Sequence, residues 1–176
     1  MAIDEIDNVA DLIDNYAKSI AGLELAVAAL NIRLNASPLI NFRDALFHFR
    51  KLCQSIVNSK EYYQNLGAVD EHLARGAKDI LVHLAFILRL RIRYLTQNDT
   101  AILLRAKKDR FKLNKVANRL GNLDLKLRHN FGSYNPEIIA KSVDVLTSSI
   151  NETETILGSL GLNSSLRERF EKNFQK

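Results

Sequence analysis

Two prolines and seven glycines are all that interrupt 176 residues. So little punctuation leaves no place for the many tight turns that an all-β chain requires, and it favours long uninterrupted helices. A single cysteine, Cys53, excludes an internal disulfide and fits a reducing compartment; its spacing reads as that of a small core residue. No stretch reaches the roughly 18 uncharged apolar residues of a membrane span. Asp4, Glu5 and Asp7 stand where a secretory leader needs positive charge followed by an apolar run. The expectation is a cytoplasmic protein that does not enter a membrane. Also missing are a Glu-x-x-His pair of the kind that builds a di-iron bundle, a Cys-x-x-Cys zinc element and a glycine-rich phosphate loop. Those absences disfavour metal- and nucleotide-dependent enzymes, and no cofactor is expected.

What is present is apolar and helical. Hydrophobic residues make up 47% of the chain, enough for one domain spanning 1–176 to bury a core without metal or disulfide support. Ile6, Ala10, Ile13, Ala17, Ile20, Val27 and Leu34 predict a first helix from about Asp4 to Asn35, with acidic residues in its first turn. Ser37-Pro38 ends it. A second helix, about Pro38 to Asn58, carries an apolar side of Phe42, Ala45, Leu46, Phe49, Leu52, Cys53 and Ile56. Gly67 is placed in the bend before a third helix, about Val69 to Thr96, built on Leu81, Leu84, Leu88, Ile92 and Leu95. The fourth, about Asp99 to Leu127, repeats Leu113, Val116, Leu120, Leu123 and Leu127, with Gly121 as a loosening point. After the turn-like run from Asn130 to Pro136, a fifth helix carries Ile139, Val143, Leu146, Ile150 and Leu157, and a short polar helix follows Asn163. The fold class is therefore all-α: an up-and-down bundle of about five long helices plus a short C-terminal one.

The second of these helices holds the one R-x-x-x-x-H pattern in the chain, Arg43 to His48. At ~100° per residue the two lie about 140° apart, outside the apolar side and on opposite flanks of the remaining face. Asp44, four residues before His48, can accept a hydrogen bond from the imidazole and orient it. Phe47 falls between them on that polar face, where a ring is wasted unless a partner chain or a nucleobase covers it. Arg50 and Lys51 add positive charge. The plain alternative is that all of these are solvated residues on an amphipathic helix.

In the form Arg43-Asp44-Ala45-Leu46-Phe47-His48 this segment resembles the HEPN superfamily, helical bundles whose RNase members carry R-x-x-x-x-H, often with Asn or Asp after the arginine. The resemblance implies a homodimer with the two motif helices facing each other across a cleft, cutting RNA without a metal ion. It makes His48 the general acid or base for attack of the ribose 2′-hydroxyl, Arg43 the ligand of the scissile phosphate and Asp44 the residue orienting His48. A toxin or defence effector is the implied biological setting, with a neutralising protein partner (antitoxin) as a further implied contact. The other function class open to the sequence is a non-catalytic helical interaction or accessory protein that uses the same face for dimerisation or partner binding.

Further charge lies outside the motif. A net charge of +5 suits an anionic partner such as RNA. Glu71, Arg75 and Asp79 follow at four-residue steps: either a surface ladder or a brace for Arg43 or His48, with Gly76 allowing another helix to approach closely. His72 and His83 suggest solvent contact or packing rather than metal ligation. Arg89, Arg91 and Arg93, with Lys107, Lys108, Arg110, Lys112 and Lys115, are either a track for an RNA backbone or solvated helix faces. Arg128, beside His129 and Asn130, is a candidate phosphate contact or a basic complement to a helix end.

Overall fold

The computed structural model describes residues 36–98, 107–130 and 136–160. These form four helices: α1 (Ala36–Gln54), α2 (Lys60–Asn98), α3 (Lys107–Asn130) and α4 (Pro136–Ser159). Among the described residues there is no strand, so the all-α expectation holds at that level. The expected helix over 4–35, the turn-like run after Asn130 and the closing polar helix lie outside the described residues.

The organising element is α2, whose 39 residues extend over roughly 58 Å. It packs on α1, α3 and α4. Its leucine repeat explains this: Leu81, Leu84, Leu88, Ile92 and Leu95 are wholly buried and meet Leu113, Val116, Leu120 and Leu127 of α3 with Ile139, Leu146 and Leu157 of α4. The three- and four-residue spacing puts each row on one side of its helix, and removing that surface from water holds the three helices together. Ser142, Ser149 and Thr153 are also buried in α4, each bonded back to a carbonyl one turn earlier. Small hydroxyl residues can satisfy themselves in this way at a close helix contact.

Helix α1 is attached differently. Among the described residues it packs on α2 alone, through a cluster of Ala45, Val69 and Leu73 flanked by Phe42 and Phe49. The chain turns between the two helices at Asn58, which takes φ 64°, a conformation that Asn tolerates better than most residues. Ser59 then caps α2, its Oγ accepting from the Tyr62 amide at 3.1 Å.

Several boundaries differ from the expectation. The motif helix stops at Gln54 rather than Asn58 because the left-handed turn and the Ser59 cap intervene. Helix α2 begins nine residues before Val69, so Gly67 lies inside it and not in a bend. Asn65 and Tyr62 continue the buried row one and two turns upstream of Val69. Gly121 does not loosen α3; it is a buried point at which an added Cβ would stand 3.1 Å from the Arg89 Cζ. Gly76 does permit a close approach, since a Cβ there would collide with the Phe42 ring of α1.

The apolar side expected for the motif helix is also narrower. Ala45 and Leu52 are buried and Phe42 and Phe49 partly so, but Leu46 and Ile56 are exposed, as is Cys53, which is not a core residue. Among the described residues α1 has α2 as its one neighbour, and the stripe it buries there is the one that faces α2.

Candidate functional site

His48 is half-buried on the side of α1 that faces α2. Its Nδ1 lies 3.1 Å from Oδ1 of Asn65 on α2. The Asn65 amide has its orientation fixed independently, because its Nδ2 donates to the Glu61 carbonyl at 2.9 Å. Oδ1 is therefore the acceptor and His48 Nδ1 the donor, leaving Nε2 as the atom that gains or loses a proton. Among the described residues nothing hydrogen-bonds Nε2. Asn65 is itself 6% exposed, so the half-buried imidazole is oriented from its buried side.

A second histidine shares the site. His72 of α2 stacks on His48 with ring centroids 5.4 Å apart and planes 17° from parallel. Its Nδ1 faces Asn41 Oδ1 at 3.5 Å. Asn41 Nδ2 donates to the Ser37 carbonyl at 3.1 Å and faces Asp79 at 3.4 Å, and the Ser37 hydroxyl donates to the same carboxylate at 2.5 Å. Asp79 thus ties down the start of α1. The ladder read from Glu71, Arg75 and Asp79 exists only in its first step, Arg75 to Glu71; Asp79 braces the motif helix through Ser37 and Asn41, not through Arg43.

Asp44 does not orient His48. Both Nε and Nη2 of Arg43 donate to its Oδ1, at 2.9 and 2.7 Å, and the guanidinium wins because it lies one residue away while the imidazole is drawn in against α2. The role assigned to Asp44 is filled by Asn65. Asn65 and His72 carry no motif, and their only trace in sequence is a polar residue on the side of α2 that faces α1. Arg43 is 74% exposed in its side chain. Within one chain it stays on the far flank from His48, as the helical spacing requires.

Phe47 is exposed and edge-on to His48 at 5.5 Å, with the Lys51 ammonium 4.6 Å above its ring. That contact is a cation–π pair on the open side of α1. Arg50 is exposed close by. Arg128 is elsewhere: it sits near the end of α3, bonded to Asp124 at 2.7 Å, and α3 does not touch α1 among the described residues.

No family model, curated protein or solved structure matches this chain.

The basic run read from α2 does not form one face. Arg91 is buried, Arg89 lies against Gly121 between α2 and α3, and Arg93 is the exposed one of the three. Lys107, Lys108, Arg110, Lys112 and Lys115 are all exposed on α3. Among the described residues no group of three or more His, Cys, Asp or Glu is placed to hold a metal ion. No helix there is long and apolar enough to cross a membrane.

Proposed function

We propose that this chain is a metal-independent endoribonuclease of HEPN type, cleaving RNA through attack of the ribose 2′-hydroxyl, and that it acts as a homodimer in the manner of a toxin or defence effector. The observation that carries this reading is the half-buried His48 imidazole, held at Nδ1 by Asn65 and with no hydrogen-bond partner at Nε2 among the described residues. Transfer through the 2′-hydroxyl needs a proton acceptor, a proton donor and a cation for the phosphate, with no external nucleophile. Neutral His48 accepts the 2′-hydroxyl proton at Nε2; protonated, it returns a proton to the leaving 5′-oxygen. Arg43 lies on the other flank of α1, so the phosphate ligand for one His48 is the Arg43 of a second copy docked along α1. Phe47, with Arg50 and Lys51 around it, offers a stacking surface for a base beside that phosphate. Asn65 is a positioning residue, replacing Asp44 in that role.

RNA cleavage in EDTA by the full chain tests this. His48→Ala is expected to lose about 10²- to 10⁴-fold in rate, and Arg43→Ala to lose activity as well, both with unchanged helical circular dichroism. Asn65→Ala should lower kcat and alter the pH–rate profile while His48 is retained. Cleavage that survives both motif substitutions refutes the proposal.

A second reading has its own support. Leu39, Ile40, Leu46 and Phe47 are all exposed on α1, a run of large apolar side chains that suits a docked protein. A non-catalytic interaction or accessory protein would use this face for a partner, an antitoxin included, and would have no need of the His48 geometry. Loss of partner binding in Leu46→Asp with no RNA cleavage in any condition favours that reading.

A further inference from the structure

A cleft of about 530 Å³ opens between α3 and α4, formed without any residue of α1. Three cations line it from one stripe of α3: Lys115, Arg119 and Lys126. Their steps of four and seven residues correspond to roughly 6 and 10 Å along the helix. Among the described residues Glu152 is the single carboxylate in the lining, and it is already engaged by Arg119 Nη2 at 2.8 Å. The Arg119 guanidinium is held further by Ser149, whose Oγ accepts from Nη2 and Nε at 3.0 and 3.3 Å while donating to the Val145 carbonyl at 2.6 Å. Its position is therefore fixed before anything binds, and its Nη1 makes no hydrogen bond among the described residues. No carboxylate among the described residues pairs with Lys115 or Lys126.

Two amides, Asn118 and Asn122, lie between these cations in the lining, and the floor is apolar, with Val116 and Leu123 buried. The volume is that of a small-molecule site. An immobilised guanidinium flanked by two unneutralised ammonium groups matches an anion of higher charge than one carboxylate.

We propose that this cleft binds a small pyrophosphate-bearing molecule, with Arg119 and the two lysines on its phosphate oxygens and the asparagine amides on the remaining polar atoms. The shared chemistry is the pyrophosphate group, available from free pyrophosphate or from a nucleoside diphosphate. The site is separate from His48, so it stands or falls independently of the ribonuclease reading.

Calorimetric titration of the full chain with pyrophosphate, ADP and adenosine tests it. Saturable binding of pyrophosphate or ADP is expected, with none for adenosine. Lys115→Ala and Lys126→Ala, both at exposed positions, should each weaken it about tenfold, as loss of a charge-assisted hydrogen bond does. Lys115→Arg should retain it, and Arg119→Lys should lose affinity because an ammonium cannot keep both the Ser149 and Glu152 contacts. ADP binding well above pyrophosphate identifies the nucleotide as the source and the apolar floor as the ring's seat; equal affinities identify the pyrophosphate alone. No binding at millimolar ligand, or binding that all the lysine variants leave unchanged, overturns the proposal.

Discussion

Around the C-terminal half of α2, Leu84, Leu88, Ile92 and Leu95 are sealed against α3 and α4, whereas its N-terminal half holds α1 through a small cluster rimmed by Asn41, His48, Asn65 and His72. The first interface is dominated by apolar side chains, and its leucine row is wholly buried, with Arg91, Ser149 and Thr153 among the few polar residues buried around it. The second stays partly open because among the described residues α1 packs on α2 alone, and Leu46 is 69% and Phe47 54% exposed. Polar groups that would be costly in the first interface are tolerated in the second because water still reaches one side of them. An oriented, reachable imidazole requires that compromise: full burial would shut it off, and full exposure would leave it unoriented. The largest buried row and the candidate site thus lie toward opposite ends of the same helix.

Truncation separates the two ends most sharply. Leu88→Ala removes a side chain with no exposed surface and should cost about 2–5 kcal/mol. Leu46→Ala, on the open side of α1, should stay within about 0.5 kcal/mol. Urea unfolding of both variants checks this, and a large loss at Leu46 would mean that α1 is covered in the native protein.

The same asymmetry governs what the amino-acid sequence could disclose. Leu81, Leu84, Leu88, Ile92 and Leu95 were readable as one buried row because a dry three-helix contact repeats at the helical period. On α1 the period gave the helix but not its inward stripe, since Leu46 and Cys53 differ from Ala45 and Leu52 only in which flank the neighbour covers. Gly67 suggests a bend by its residue type alone, while the start of α2 is written in the Ser59 cap and in Tyr62 and Asn65 at buried register. Within the site, Arg43 and His48 stood out through a local pattern. Asn65 and His72 did not, because they reach His48 from another helix and no spacing along the chain encodes that proximity.

Glycines give a finer comparison along α2 itself. At Gly76 a new Cβ meets the Phe42 ring, whereas at Gly67 it meets nothing within 4 Å. Gly76→Ala sets an overpacking cost of about 1–3 kcal/mol against a helix-propensity gain of about 1 kcal/mol. The ring belongs to a half-buried residue, and a net loss near 1 kcal/mol is expected. Gly67→Ala has only the gain and should stabilise by up to about 1 kcal/mol. Phe42→Ala combined with Gly76→Ala should cost less than the sum of the two, because the first change makes room for the second. An additive cycle would show that α1 shifts as a whole to absorb the methyl group, and with it the seat of His48.

The smallest effect belongs to the surface, where neither interface is involved. At the start of α4, Lys141 donates to Glu137 Oε1 at 2.5 Å, and that hydrogen bond, reinforced by the lysine's charge, lowers the Glu137 pKa below its ordinary value of 4.5. A carboxylate depressed in the folded state binds protons more readily once unfolded, so its contribution is complete above the ordinary glutamate pKa. It fades as pH falls through the lower folded value, when the carboxylate is protonated in both states. Both side chains are mostly exposed, and solvent screening keeps such a pair weak. Glu137→Gln should therefore lower the urea midpoint slightly at pH 7, and the difference from wild type should shrink as the buffer is taken below the ordinary glutamate pKa. A difference that persists undiminished in acid would assign the effect to the acidic first turn of the helix as packed, and not to the charge on Glu137.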